Sequence, residues 1–333
     1  MIKIGVLGAG HLGKIHLKCI QASEYLELVG FYDPDLDNAQ KVAASFGTRA
    51  FESAEALINA VDAVDIVTPT VLHFDLAQQA VRNGKHIFIE KPLTHTVAEA
   101  EELIKITAEN NVKVQVGHVE RFNPAFLALG DVRISPMFVE AHRLAMFNPR
   151  GTDVSVVLDL MIHDIDLILH LVDSEVKSIH ASGVAVVSQS PDIANARIEF
   201  ENGCVANLTA SRMSLKQMRK IRFFQRDAYI SLDFLEKKAQ IIRLLDENDE
   251  IVTASRVRQE GGNLMELETV RGTKFIDIQM PKSMNVNAIQ MELETFAESI
   301  RDNKTPRVTI QDGYKALKIA HRIIEEIGDS TLS

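Results

Sequence analysis

Short apolar runs and amphipathic stretches alternate through the first third of the chain. The run IKIGVLG has the pattern of a strand buried on both faces, and it recurs as LELVGFYD, AVDIVTPT, HIFIEKP and VKVQVGHVE. Stretches with helical period, such as LDNAQKVAASFG and TVAEAEELIKITAENN, separate these runs. Repeated strand–helix units of this length form parallel sheets. Residues 1–122 therefore predict an α/β domain with a doubly wound, Rossmann-type parallel sheet.

The pattern changes near residue 125, and later segments mostly have the two-residue period of strands. MFVEAHRLAMF, KIRFFQRDAYISLDF and AQIIRLLD alternate in this way, and Asn202-Gly203 stands between two such runs as a hairpin signal. One helical segment, LDLMIHDIDLILHLV, interrupts the strands, and two more close the chain at about 285–302 and 311–327. Residues 123–333 thus predict an α+β domain with a largely antiparallel open sheet, and we expect a terminal helix to pack back on the first domain.

Charge and cysteine content limit the possible functions. The 333 residues carry a formal net charge of −10. A non-specific nucleic-acid binder needs a basic surface, so the charge argues against that class, whereas local arginines can still hold an anionic small substrate. Cys19 and Cys204 lack a zinc-binding spacing, which indicates two reduced, buried thiols in a cytoplasmic protein. No apolar run reaches about 18 residues, and glycines interrupt the first apolar run, so we expect neither a membrane span nor a signal peptide.

A glycine pattern follows the first predicted strand and opens a helix. Gly8 would permit the tight turn, Gly10 would let the backbone approach a pyrophosphate, and Gly13 would let the helix pack closely on the strand. Asp33, at the end of the second strand, would accept hydrogen bonds from a ribose and repel a 2′-phosphate, which predicts NAD rather than NADP. A tight turn without a ligand is the structural alternative. The predicted cofactor contacts are Gly8, Gly10, His11, Leu12, Gly13, Asp33, Thr68, Pro69, Thr70, His73, Glu90 and Lys91.

Two further strand ends carry residues that could serve a ligand. Thr68-Pro69-Thr70 ends the third strand, where the sequence is compatible with a cofactor loop or with a plain proline turn. Glu90-Lys91-Pro92 ends the fourth strand, and the proline holds Lys91 extended at the edge where open α/β sheets bind ligands. Lys91 would hydrogen-bond a substrate oxygen and take part in proton transfer. A solvated loop lysine is the alternative.

The helical segment Leu158–Val172 is mostly apolar but carries a polar stripe. The residues that share this face at helical spacing are Asp159, His163, Asp166 and His170. The helix alone leaves three interpretations open. Asp159 or Asp166 orients His163 as the base for a substrate hydroxyl, or an Asp–His pair holds a metal, or the stripe is structural.

Lys91 and the glycine loop favour the catalytic interpretation of this stripe. Hydride transfer to nicotinamide needs no metal, and no third group of ligands is visible in the sequence, so no metal site is predicted. His170 is assigned to structure. Asp164 points away from the stripe, either as a surface acid or as the partner of an arginine.

Substrate contacts are expected from the segment after the fifth strand and from arginines of the second domain. His118, Glu120, Arg121 and Asn123 would contact a sugar or the nicotinamide, or else serve as capping or solvated groups. Arginine binds phosphate with two parallel hydrogen bonds, so the candidates for holding a nucleotide diphosphate are Arg143, Arg150, Arg212 and Lys216. A surface charge is the alternative for each of them.

The order and spacing of these motifs resemble the Gfo/Idh/MocA oxidoreductases. The motifs are the glycine pattern, Glu90-Lys91-Pro92, and D-x-x-x-H at Asp159–His163, and the resemblance covers essentially the whole chain. It implies an NAD(P)-dependent enzyme that acts on sugars, cyclitols or related alcohols, with Lys91, His163 and Asp159 as the catalytic residues. It also implies a homodimer or homotetramer assembled through the C-terminal sheet.

Longer segments look like one branch of this family, the UDP-N-acetylglucosamine 3-dehydrogenases. These segments are GHVERFNPA, Ser135–Leu169 and Ile193–Phe234. The resemblance implies oxidation of the sugar's 3-hydroxyl to a ketone, which an aminotransferase converts to an amine for lipid A. Two alternatives remain, an inositol or simple-sugar dehydrogenase of the same family and a non-catalytic NAD-binding sensor.

Overall fold

The computed structural model describes residues 1–148, 154–253, 264–270 and 272–330. Within it the chain forms two compact units. The first unit comprises Met1–Phe122 together with Val286–His321, and the second comprises Asn123–Asn285 together with the residues from Arg322 onward.

The first unit is built on a five-stranded parallel sheet with the strand order β2-β1-β3-β4-β5. The strands are β1 (Ile2–Leu7), β2 (Leu26–Tyr32), β3 (Ala63–Ile66), β4 (His86–Glu90) and β5 (Val114–Gly117). The helices between them are α1 (His11–Gln21), α2 (Leu36–Phe46), α3 (Ala54–Ala60), α4 (His73–Arg82) and α5 (Val97–Asn110). The predicted α/β class is confirmed. Because β2 and β3 flank β1 on opposite sides, the chain reverses direction across the sheet beside β1, and this is where such sheets bind ligands.

Local sequence explains where these helices begin. The Asp35 side chain accepts the Asn38 amide at the start of α2, and Ser53 does the same for Ala56 at the start of α3. Thr96 and Glu99 form a reciprocal capping box at α5. These caps fix the helix starts, and therefore the lengths of the loops that leave the carboxyl ends of the strands.

Two helices follow the second-unit strands in the chain. They are α8 (Ala288–Arg301) and α9 (Ile310–Ser330), close to the predicted bounds. Within the first unit α8 packs against α1 and β4, and its Leu293 and Phe296 side chains enter the core. None of the helices in the described part of the chain combines the length and apolar character that a membrane span requires.

The second unit contains a nine-stranded sheet with the order β13-β14-β12-β11-β10-β6-β9-β8-β7. Its strands are β6 (Phe138–Leu144), β7 (Val176–Val184), β8 (Ile193–Phe200), β9 (Val205–Ser211), β10 (Met218–Phe224), β11 (Ala228–Asp233), β12 (Lys238–Asp246), β13 (Leu264–Thr269) and β14 (Gly272–Gln279). All neighbouring pairs are antiparallel except β6 and β9. The predicted antiparallel character is confirmed, whereas the hairpin of β13 and β14 was not predicted.

A helix covers one face of this sheet. It starts as a π-helical turn (Val157–Met161) and continues as α7 (Ile162–Leu171), after the short α6 (Pro124–Leu127). Alternate residues of β6, β8 and β9 are buried on that face, and several of them are alanines, which let a helix approach the strands closely. The π-helical turn departs from the predicted continuous α-helix. Its wider spacing changes the direction of the side chains around Asp159.

Candidate functional site

The glycine loop between β1 and α1 has the geometry that a dinucleotide requires. Gly8 has φ +96°, and a Cβ there would lie 2.8 Å from the Val67 carbonyl oxygen. A Cβ on Gly13 would lie 2.0 Å from the Gly8 carbonyl oxygen, so only glycine allows this approach of helix to loop. At Gly10, by contrast, a Cβ would meet nothing within 4 Å among the described residues. The second glycine therefore faces open space at the start of α1, where amide groups attract a pyrophosphate.

Asp33 is fixed at the end of β2 beside this loop. Its Oδ2 accepts the Ala9 amide at 2.7 Å and its Oδ1 accepts the Asp35 amide at 3.0 Å. Asn38, which the sequence did not single out, donates to the Ala9 carbonyl at 3.1 Å and accepts from Lys14 Nζ at 3.2 Å. The sequence signal for Asn38 was its place as a polar residue in the first turn of the helix that follows Asp33. Open space above Gly10 and an anchored carboxylate at the strand end fit an NAD dinucleotide.

His73 joins the loops that follow β3 and β4. The imidazole is 1% exposed, with Nδ1 2.9 Å from the Pro92 carbonyl oxygen and Nε2 3.0 Å from the Thr68 carbonyl oxygen. Burial lowers the pKa of His73, although both carbonyl contacts oppose the change. The lowered pKa favours the neutral ring, which donates to one of the two carbonyls, and His73 thereby connects the two loops. Its direct contact with a cofactor stays a prediction.

Lys91 leaves the sheet directly at the end of β4. It is partly buried, and its backbone amide donates to Glu90 Oε2 at 3.2 Å. Glu90 is 8% exposed, and its side chain lies over Gly117 of β5, where a Cβ would come within 2.8 Å of Glu90 Oε1. Glycine at position 117 thus makes room for the carboxylate beside Lys91.

In the second unit, exposure divides the polar residues of the helix. Asp159, in the π-helical turn, and His163, at the start of α7, are partly exposed. Asp164 and Asp166 are buried, with 2% and 1% of their surface exposed. His170 is exposed, and its ring lies 6.2 Å from the Phe126 ring. The candidate base and Asp159 therefore share an accessible stretch, while Asp166 lies inside the unit.

Asp164 forms a buried ion pair with Arg143 of β6. Arg143 Nη2 donates to Asp164 Oδ1 at 2.7 Å, and Nε lies 3.1 Å and 3.2 Å from the two carboxylate oxygens. Both side chains are 3% exposed. Of the two expectations for Asp164, the arginine partner is correct and the surface acid is wrong. Asp164 occupies one edge of the Arg143 guanidinium, and a phosphate contact by Arg143 stays a prediction.

Arg212 is also buried and faces protein groups of its own unit. Its Nη2 donates to the Val154 carbonyl at 2.5 Å, and its Nε lies 3.7 Å from Asp192 Oδ1. Burial opposes ionisation of Asp192, but amide donors from Val186, Val187 and Ser188 hold its pKa well below the ordinary value. Lys216 is exposed, and Arg150 lies outside the described residues.

The segment after β5 is buried rather than open. His118, Glu120 and Arg121 are 1%, 4% and 3% exposed, and Arg121 Nη2 lies 3.5 Å from Asp312 Oδ1 at the start of α9. In the second unit, Asn123 caps α6 by accepting the Ala125 amide and also donates to the Phe234 carbonyl at 3.2 Å. Asn123 therefore has the capping role that the sequence left open. The proposed substrate contacts of these four residues stay predictions.

Two family descriptions match the chain. One is an oxidoreductase family with an NAD-binding Rossmann fold, over residues 2–118, and the other is the Gfo/Idh/MocA C-terminal domain, over residues 128–230. Together they cover both the glycine loop and the helix that carries His163.

Similar proteins and structures agree with this family. A UDP-N-acetylglucosamine 3-dehydrogenase of Acidithiobacillus ferrooxidans is 42% identical over 241 residues, which are 72% of this chain and 76% of the relative. A solved structure of the enzyme of that name from the same species has a TM-score of 0.86 at 34% identity and covers 98% of each chain. A scyllo-inositol 2-dehydrogenase (NAD(+)) of Bacillus subtilis is 28% identical over 96% of this chain and 92% of the relative.

Proposed function

Because the chain belongs to the Gfo/Idh/MocA family of NAD-dependent oxidoreductases, we propose that it oxidises the 3-hydroxyl of UDP-N-acetylglucosamine to a ketone. The observation that carries this substrate is the similarity to a UDP-N-acetylglucosamine 3-dehydrogenase, which exceeds the similarity to an inositol dehydrogenase. The product would be a 3-keto nucleotide sugar, which an amino-transfer reaction would consume.

The glycine loop and Asp33 are the residues that would hold the cofactor. The start of α1 offers its amides to the pyrophosphate, and the open space at Gly10 supports a close approach. When bound, NAD supplies the nicotinamide ring that accepts a hydride. Asp33 would accept the ribose hydroxyls and disfavour a 2′-phosphate, which supports NAD over NADP.

Lys91, His163 and Asp159 receive the chemical roles. His163 removes the proton of the hydroxyl group, Asp159 orients His163, and Lys91 stabilises the oxygen as it becomes a carbonyl oxygen. The hydroxyl loses its proton to the base while its carbon loses a hydride, so the alcohol is oxidised by two electrons. The partial exposure of all three residues in otherwise buried segments supports these assignments.

Contacts with the rest of the substrate are assigned more broadly. The diphosphate would be held by arginines from the set Arg143, Arg150 and Arg212, and the sugar by groups from the set His118, Glu120, Arg121 and Asn123. We further propose that the protein is cytoplasmic and forms homodimers or homotetramers through the nine-stranded sheet. Light scattering would measure the number of subunits.

The decisive experiment follows NADH absorbance with NAD and a panel of substrates. The panel contains UDP-N-acetylglucosamine, UDP-glucose, inositols and free sugars, and we expect reduction of NAD with UDP-N-acetylglucosamine. Turnover of inositols without a nucleotide would identify a cyclitol dehydrogenase instead. NADH binding without turnover of any sugar would identify a sensor.

Lys91→Met tests the assigned chemistry, with Lys41→Met on the exposed surface of α2 as the matched control. We expect Lys91→Met to lose turnover at saturating NAD and substrate while Lys41→Met retains it. Intact turnover in Lys91→Met would show that Lys91 has no catalytic role.

A further inference from the structure

Three ionisable side chains lie close together in the buried interior of the first unit, beside the end of β4. His16 of α1 and Asp65 of β3 are 0% exposed, and Glu90 of β4 is 8% exposed. His16 Nδ1 lies 2.8 Å from Asp65 Oδ2, and His16 Nε2 lies 3.2 Å from Glu90 Oε1. One imidazole thus bridges carboxylates from two neighbouring strands.

The contacts favour a protonated ring. Only an imidazolium carries a proton on both nitrogens, and each nitrogen of His16 has a carboxylate oxygen beside it. Burial alone would lower the pKa of His16, but the charges of Asp65 and Glu90 and the hydrogen bond to Asp65 raise it well above its usual value. The contacts and the raised pKa of His16 favour the imidazolium form, while burial raises the pKa of Asp65 against the opposing charge and hydrogen bond of His16.

Other groups face this bridge from the surrounding elements. Cys19 lies on the same helix, the Phe88 ring of β4 packs edge-on at 5.8 Å, and Glu292 approaches from α8. Glu292 is 0% exposed, and neither of its carboxyl oxygens has a hydrogen-bond partner among the described residues. Burial, together with the charge of Glu90, raises the pKa of Glu292 well above its usual value, which favours the protonated acid.

We infer that His16 and Asp65 are positioning residues for Lys91, acting through Glu90. The bridge holds Glu90 Oε1, and Glu90 Oε2 accepts the amide of Lys91, so the chain His16–Glu90–Lys91 fixes the end of β4. Gly117 leaves the gap in which this carboxylate lies. The inference rests on the catalytic role proposed for Lys91.

The bridge also connects Lys91 with the cofactor loop. His16 lies on α1, the helix that starts at the glycine loop and has Gly10 as its N-cap residue. The end of β4 and the start of α1 are therefore held to each other by a buried ionic contact as well as by apolar packing. A shift of about 1 Å in a reacting group can slow a reaction on the order of 100-fold. Loss of the bridge should therefore lower turnover by more than its effect on folding would explain.

The test compares Asp65→Asn, His16→Gln and His16→Leu in the full chain, with Glu292→Gln as a control. Glu292 lies in the same buried cluster but has no hydrogen bond to His16 or Glu90, and glutamine preserves its shape. We expect kcat to fall by about 10- to 100-fold in Asp65→Asn and His16→Leu, with a smaller change in KM. His16→Gln, which keeps an amide donor towards Glu90, should retain more activity than His16→Leu. Glu292→Gln should keep the activity of the wild type.

Two measurements need no turnover. Hydrogen exchange of the Lys91 amide should accelerate in Asp65→Asn and His16→Leu but not in Glu292→Gln, because only the first two release Glu90. Nitrogen NMR of the wild type with isotope-labelled histidine should show that both His16 ring nitrogens carry protons at neutral pH. If the wild type oxidised no nucleotide sugar, the proposed function would fail, while these two measurements would still decide the role of the bridge.

The opposite results are equally distinct. If Asp65→Asn and His16→Gln kept wild-type kcat and slow Lys91 exchange while only the melting temperature fell, His16 would be structural and the inference would be overturned. Should His16→Leu fail to fold, Asp65→Asn and His16→Gln carry the same comparison.

Discussion

Gly10→Ala and Gly13→Ala form a pair that separates cofactor binding from folding. Both add a single methyl group to the same loop. At Gly13 the new carbon would lie 2.0 Å from the Gly8 carbonyl oxygen, whereas at Gly10 it would meet nothing within 4 Å among the described residues. The backbone at Gly10 is extended, with φ −67° and ψ −159°, so its φ lies on the negative side that L-residues adopt. We expect Gly13→Ala to damage the fold and Gly10→Ala to damage only cofactor binding.

The magnitudes follow from these contacts. A methyl carbon and a carbonyl oxygen normally stay about 3.3 Å apart, so Gly13→Ala requires a backbone movement of about 1.3 Å from the present 2.0 Å. Overpacking of this kind costs about 1–3 kcal/mol, or a fall in melting temperature of about 2–4 °C for each kcal/mol. In Gly10→Ala the loss of a favourable N-cap residue and the gain from a less flexible unfolded chain nearly cancel, so stability stays within about 1 kcal/mol.

Thermal melts without cofactor and NADH fluorescence titrations measure the two effects. The methyl group of Gly10→Ala occupies the space into which a pyrophosphate would come, and we expect NADH to bind at least about tenfold more weakly, a loss of about 1.4 kcal/mol. NADH at 100 times its Kd stabilises the wild type by about 2.7 kcal/mol, and Gly10→Ala should lose about half of this protection at the same concentration. Wild-type NADH affinity in Gly10→Ala would refute the proposal that a pyrophosphate lies against Gly10. An unchanged melting temperature in Gly13→Ala would refute the close packing of Gly13 on Gly8.

Three further changes have outcomes set by the structure. Asp164→Asn leaves Arg143 buried without its carboxylate and should lower the free energy of unfolding by about 3–5 kcal/mol, measured by urea titration, whereas Arg143→Met combined with Asp164→Leu should recover most of the loss. Asp33→Ala should weaken NADH binding and reduce the preference for NADH over NADPH, because it removes the carboxylate expected to repel a 2′-phosphate. Fluorescence titrations with both cofactors measure this change. The raised pKa of Glu292 gives stability that is complete below the unfolded carboxyl pKa and is lost as pH rises through the folded value. Glu292→Gln should remove this loss of stability. The melting temperature of the variant should therefore rise relative to that of the wild type as the pH increases from acidic to alkaline.

The glycine loop could be predicted because its chemistry is local. The conformation of Gly8 and the approach of Gly13 to Gly8 depend on residues within a single turn, and the strand–helix alternation around them fixes where the turn must lie. The parallel sheet and the Asn202-Gly203 hairpin follow for the same reason, since each rests on a short periodic pattern.

The ionic bridge could not be predicted in the same way. In the sequence His16 is one polar residue on an amphipathic helix, and its partners lie 49 and 74 positions away on other elements. One signal was present, because Asp65 is a charge inside the strand AVDIV, which is otherwise apolar and buried on both faces. A carboxylate in that position needs a partner, but the sequence does not say which residue supplies it.

The helix that carries His163 divides its polar residues between a buried ion pair and a partly exposed pair that we propose as catalytic. Neighbouring residues of a helix are about 100° apart around its axis, so Asp164 and His163 face different surroundings although they are adjacent. Asp164 points to the sheet and is held by Arg143 of β6, which fixes the rotation of α7 about its axis. This ion pair therefore orients the segment from which the partly exposed His163 and Asp159 side chains project. The buried acid, which the sequence left as either a surface charge or an arginine partner, thus sets the direction in which the partly exposed His163 side chain leaves the helix.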